Sequence, residues 1–141
     1  VNVLIPVDDS ESALHAIDWV AQLEHAGGQP QVTLLNARKL PEDYDSLSVM
    51  DYEKIERALR EAQQRLLAKA LEHAHRGGLH KVSIHAAHGL PSEQIVNVAR
   101  AKAADQIVMG TRGRGAIGTF LLGSVAQQVV YLAPMPVTLV K

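Results

Sequence analysis

A chain of 141 residues, 47% hydrophobic and 21% charged, is one domain's worth of globular sequence with room for a single buried core. Its net charge of -1 makes no electrostatic case for nucleic acid or an anionic membrane, and no apolar stretch approaches the roughly 18 residues of a membrane span. Without cysteine there are no disulfides and no thiol chemistry, which is compatible with the cytosol.

No basic-then-apolar leader resembles a signal peptide, and a chain that opens on Val1 leaves room for an initiator residue or an upstream segment. The first apolar run, Asn2 to Val7, is apolar on both faces, as a central parallel strand requires. It leads into Asp8-Asp9-Ser10, a turn and helix-cap cluster in which Asp9 reads as a cap. Ala13, Leu14, Ile17, Val20 and Ala21 then recur at helical spacing until Gly27-Gly28. Trp19, the one tryptophan, is expected to pack on the sheet or under a loop.

Val32 to Ala37 predicts the second strand, and the polar, turn-rich stretch from Arg38 to Ser48 a loop. A long helix from Val49 to His75 carries Tyr52, Ile55, Leu59, Ala62, Leu66 and Ala70 as its apolar stripe and stops at Gly77-Gly78. Lys81 to Ala87 is the third strand. Pro91 opens a helix with Ile95, Val96, Val98 and Ala99 on its buried face. Gln106 to Met109 is the fourth strand, Ser124 to Leu132 the last helix, and Pro136 to Val140 the last strand.

Strands that alternate with helices across short connections imply an α/β fold: a three-layer sandwich around a five-stranded parallel sheet, open and doubly wound, Rossmann-like. One such domain occupies residues 1–141. Ligands of these sheets sit beyond the carboxyl ends of the strands, where the strand order reverses. Asp8, Asn36-Ala37 and Gly110 fall at three such ends and converge on one crevice.

The stretch from Met109 to Ala126 carries the chemistry. Gly110, Gly113, Gly115 and Gly118 alternate with Arg112 and Arg114, and Gly123-Ser124 opens the last helix. Bare main-chain N–H groups, a helix N-terminus and two guanidinium forks together suit phosphate oxygens. It is not a Walker A loop, because no lysine precedes Ser124. Gly113-x-Gly115-x-x-Gly118 fits a dinucleotide fingerprint in form, but too near the chain's end for the second half of such a domain. The competing reading is a connection that holds no ligand.

Gly110-x2-Gly113-x9-Gly123-Ser124 resembles the G-x2-G-x9-G-[ST] motif of the ATP-binding branch of the universal stress protein family. Ile5-Pro6-Val7-Asp8 followed by Ser10 resembles that family's first strand and acid, and His88-Gly89-Leu90-Pro91 its third strand-to-helix turn. Pro136-Val137 resembles the last strand, so the likeness spans essentially the whole chain. It implies a fold like that of adenine nucleotide alpha hydrolases. Residue by residue it implies that Asp8 holds the ribose hydroxyls and that Pro6, Ala37 and Met109 border the base. The amides of Gly110 to Gly115, with Arg112, Arg114, Gly123, Ser124 and Val125, would take the phosphates of ATP (or ADP or AMP), with Mg²⁺. The chain departs from the family at Asn36 and Ala37, where a histidine and a larger aliphatic are common, and at Val7, which lacks a hydroxyl.

No base, nucleophile or metal set for catalysis is evident. His73 and His75 do not share a helix face, and His85 and His88 lack cysteine companions. The expected role is a cytoplasmic, nucleotide-gated stress-response module with an unidentified protein partner, in which any ATP hydrolysis is slow. Two alternatives stay open: an ATP-using enzyme, and a dimeric interaction module without nucleotide. The edge strand 136–140 is expected to pair two copies into a homodimer.

Overall fold

Five runs, each too short for a helix and each but the last followed by a helical pattern, become five parallel strands. The computed structural model describes residues 1–41, 48–112 and 122–141. Along them lie β1 (Asn2–Pro6), α1 (Glu11–His25), β2 (Gln31–Arg38), α2 (Val49–Arg76), β3 (Val82–His88), α3 (Pro91–Ala101), β4 (Gln106–Gly110), α4 (Ser124–Leu132) and β5 (Val137–Val140). The strands form one sheet in the order β3-β2-β1-β4-β5, every pair parallel. This is the open, doubly wound, Rossmann-like architecture that the alternation predicts.

Side chains alternate across each strand, so the sheet feeds two cores. Val3, Ile5, Val32, Leu34 and Val108 meet Ala16, Ile17 and Val20 of α1 and Leu67 and Ala70 of α2. Leu4, Leu35, Ala87, Ile107 and Met109 meet Ile95, Val98 and Ala99 of α3 and Ala126 and Val129 of α4. Leu4, Ile5, Leu34 and Leu35 are wholly buried, and each such side chain contributes roughly 1.5–3 kcal/mol relative to exposure. Trp19 is half-buried and packs against the α1/α2 core. No helix among the described residues is long and apolar enough to cross a membrane.

The structure moves several expected boundaries. β2 and β3 continue to Arg38 and His88, which pair with each other, because the main-chain ladder persists where the side chains turn polar. β1 ends at Pro6, although the Val7 N–H still donates to the Leu35 carbonyl at 2.7 Å. β5 starts at Val137, since Pro136 has no N–H to give a ladder. The cap of α1 is Ser10, not Asp9: the Ser10 hydroxyl accepts from the Ala13 N–H at 3.3 Å. Leu14 points outward at 37% exposure, while the small Ser12, Ala13 and Ala16 go inside, where the helix lies close to the sheet.

The buried stripe of α2 also differs from the expected one. Gln63, Leu67, Ala70 and Ala74 face the core, Ile55 is exposed and Leu59, Ala62 and Leu66 are half-buried. Length is one cause. A helix of 28 residues runs about 42 Å, and the 8 residues of β2 only about 26 Å, so the first turns of α2 overhang the sheet. Gln63 is the other. Its Nε2 donates to the carbonyls of Asn36 (2.8 Å) and Ala87 (3.2 Å), so a polar side chain enters the core with its donor satisfied. Of the loop read over Arg38 to Ser48, residues 42–47 lie outside the described residues.

Candidate functional site

Strand order reverses between β1 and β4, and their carboxyl ends part to leave a crevice of about 370 Å³, within the usual range for small-molecule sites. Pro6, Asp8, Ala37, Met109, Gly110, Arg112, Gly123, Ser124 and Val125 all line it, so the structure gathers these expected site residues from four separate segments. Gly113, Arg114, Gly115 and Gly118 lie outside the described residues.

The turn after β1 fixes Asp8. Its Oδ1 accepts the Ser10 N–H at 2.9 Å and the Ser10 hydroxyl, an Asx-type turn that holds the carboxylate at the mouth of the crevice. The Ser12 hydroxyl donates to the carbonyl of Arg112 and so ties the start of α1 to the segment after β4. Gly110 lies under the same helix. A Cβ there would sit 2.8 Å from both the carbonyl carbon and the Cβ of Ser12. Close packing of α1 therefore already demands glycine at this position, a reason the ligand-centred reading of the sequence did not contain. Gly89, with φ of +138°, turns the chain from β3 into α3 in a conformation that side chains disfavour.

After β4 the chain leaves and returns through one point. The Thr111 N–H donates to the Val140 carbonyl at 2.9 Å, and the Gly123 N–H donates to the Thr111 carbonyl at 2.8 Å. Gly123 then caps α4 with no side-chain hydrogen bond and no acidic residue in the first turn. The opening N–H groups of a helix in that state, at the positive end of its dipole, favour an anion. Ser124 is exposed at this end and lines the crevice.

The lining is chemically divided. Leu35, Ala37, Ile95, Met109, Val125 and Ala126 form an apolar slot, while Asp8, Ser10, Arg112 and Ser124 are polar. Such a site fits a molecule with a flat apolar ring, hydroxyls and an anionic tail. Sequence reasoning left out Ser10, Pro91 and Ile95; the Asp8-x-Ser10-x-Ser12 spacing was the available signal for the first of these. It placed Asn36 at a strand end facing the crevice and noted it as a departure from the family, without giving its side chain a role. Asn36 lines the crevice, is 3% exposed, and donates from Nδ2 to the Val7 carbonyl at 2.7 Å. Its Oδ1 is buried without a hydrogen-bond partner. Among the described residues no group of three or more His, Cys, Asp or Glu is placed to hold a metal.

A model of the universal stress protein family matches residues 2–141. No curated protein sequence matches the chain. Hypothetical protein MJ0577 has a similar structure, with 28% identity, a TM-score of 0.81, and 99% of this chain and 94% of that one covered. A universal stress protein in complex with cAMP shares 24% identity and a TM-score of 0.71, again over 99% of this chain and 94% of the other. The universal stress protein from Archaeoglobus fulgidus in complex with dAMP shares 23% identity and a TM-score of 0.67, over 100% and 98%.

Proposed function

The chain belongs to the universal stress protein family, and on that premise we propose that it is a single-domain, ATP-binding stress-response module whose ligand lies in the crevice between β1 and β4. The observation that carries this reading is the convergence of the Asp8 turn, Ala37, Met109-Gly110 and the uncapped start of α4 around one slot of nucleotide size. Two proteins of the same fold, described with cAMP and dAMP, support an adenine nucleotide as the ligand class.

In this reading Pro6, Ala37 and Met109 enclose the base, and the Asp8 carboxylate accepts from the ribose hydroxyls. Gly110, Arg112, Gly123, Ser124 and Val125 face the phosphates from the described part of the chain, and Gly113, Arg114 and Gly115 complete the set by the family motif. Mg²⁺ would screen the phosphate charge, held by phosphate oxygens and water more than by protein side chains. The protein acts by binding in the cytoplasm, where a filled crevice presents a different surface to an unidentified protein partner. Hydrolysis would be slow. Calorimetric titration of nucleotide-stripped protein with ATP and Mg²⁺ is the direct test: saturable one-site binding is expected, and no heat at millimolar ATP refutes it.

The same reading makes the protein a homodimer joined along β5, which is an edge strand. Val130, Tyr131 and Leu139 are exposed at 48%, 88% and 37% on α4 and β5, an apolar fringe beside unpaired strand groups. Light scattering at micromolar concentration should give twice the chain mass, and Leu139→Lys should return it toward the monomer. A monomeric wild-type mass would remove the dimer from the proposal.

A further inference from the structure

We propose that Ser12 is a positioning residue for the phosphate end of the crevice: its hydroxyl holds the Arg112 carbonyl against α1, out of the path of an anion. The inference rests on the nucleotide reading above and deepens it with a residue that touches no ligand.

A main-chain carbonyl carries a partial negative charge and repels the oxygens of a phosphate. Two carbonyls follow β4 along the described chain. That of Thr111 accepts the Gly123 N–H at 2.8 Å, and that of Arg112 accepts the Ser12 hydroxyl. The first bond joins main chain to main chain, whereas the second depends on one side chain. Arg112 lines the crevice, and Ser12, 9% exposed, does not. The bond therefore turns the Arg112 carbonyl away from the ligand and into the packing of α1 on β4.

Gly110 makes room for this bond. The Ser12 Oγ occupies the space that a Cβ at position 110 would take, so glycine lets the hydroxyl pass over the end of β4 to a carbonyl two residues on. Ser10 is committed elsewhere. A hydroxyl has one proton to give; that of Ser10 goes to Asp8 Oδ1, and its oxygen accepts the Ala13 N–H at 3.3 Å. Although the two hydroxyl oxygens lie 3.4 Å apart, Ser10 has no proton left for the Arg112 carbonyl, and Ser12 none for Asp8. The start of α1 thus serves both ends of the ligand. Ser10 fixes the acid that meets the sugar, and Ser12 fixes the chain that meets the phosphates.

Without the Ser12 hydroxyl, the Arg112 carbonyl loses the donor that holds it to the helix. Water in the crevice is then the nearest replacement, and rotation toward it sets an acceptor against the phosphate oxygens. Neither the Asp8 turn nor the apolar slot uses the Ser12 proton, so the sugar and base ends stay as they were.

The test is NMR titration of wild type and Ser12→Ala, both stripped of nucleotide, with ATP, AMP and adenosine in the presence of Mg²⁺. Ser12→Ala should bind ATP about tenfold more weakly than wild type, AMP with a smaller loss, and adenosine with unchanged affinity. General damage to the site lowers all three alike, so a purely structural role of Ser12 would not produce this gradient. Should adenosine not bind wild type, the losses for ATP and AMP decide. Should Ser12→Ala fail to fold, Ser12→Cys takes its place, similar in size and a weak donor. An equal loss for every ligand that binds, or an undiminished affinity for ATP, overturns the inference and leaves the nucleotide reading standing. Failure of wild type to bind ATP overturns both.

Discussion

Gly110→Val is expected to lower stability by about 3 kcal/mol, read as a shift of the urea midpoint with unchanged slope. The glycine closes β4 where α1 crosses it, and a Cβ built there stands 2.8 Å from the carbonyl carbon of Ser12. That atom belongs to the main chain of a helix whose Ala13, Ala16 and Ile17 are buried in the core, so it has no direction in which to give. Shortening the facing side chain does not relieve the contact, and Ser12→Ala in the Gly110→Val background should restore little. A Gly110→Val protein as stable as wild type would show that α1 stands off the sheet by more than the structure gives it. The effect should appear without any nucleotide, which distinguishes it from a loss of ligand stabilisation.

The second large effect concerns Asp8. Asp8→Ala should weaken ATP binding about ten- to a hundredfold, the range for a hydrogen bond to a charged group. Since Oδ1 also accepts from the Ser10 N–H, part of any loss could come from a loosened turn. A sugar without hydroxyls separates the two causes. Wild type should bind 2′,3′-dideoxy-ATP as weakly as Asp8→Ala binds ATP, and Asp8→Ala should bind both nucleotides equally. If Asp8→Ala still prefers the natural sugar, the carboxylate is not the ribose contact and its function is confined to the turn with Ser10.

Most of the architecture was legible because short apolar runs and 3.6-residue periodicity are direct consequences of burial. The span of α4 was read residue for residue, and the buried face of α3 in all but Ser92, which goes inside with its hydroxyl donating to Gln128. What escaped has a common physical origin in main-chain hydrogen bonding, which leaves no mark on hydropathy. Arg38 and His88 extend their strands through ladder bonds between polar residues. Gln63 is buried because two carbonyls at the ends of β2 and β3 need a donor, while the periodic stripe of Tyr52 and Ile55 overhangs. At the site, motif spacing located Asp8, Gly110 and Ser124. It gave no hint that Gly110 is held to glycine by Ser12, or that the Asn36 amide is pinned by Val7. Both facts depend on residues far apart in the chain being pressed together.

The bond from the Gly123 N–H to the Thr111 carbonyl has a consequence for engineering and for divergence among relatives. Entry and exit of residues 112–122 are stitched to each other and, through Val140, to the outermost strand, so whatever is spliced between them inherits a fixed doorway. Substituting residues 113–121, or altering their number, should leave the ladder of β4 and β5 and the footing of α4 in place as long as Arg112 keeps its carbonyl for Ser12 and Leu122 keeps its carbonyl for Gln127 and its packing against the α3/α4 core. A change of ligand anion or of downstream recognition is therefore open to the protein at this one locus, with no renegotiation of the scaffold beneath it.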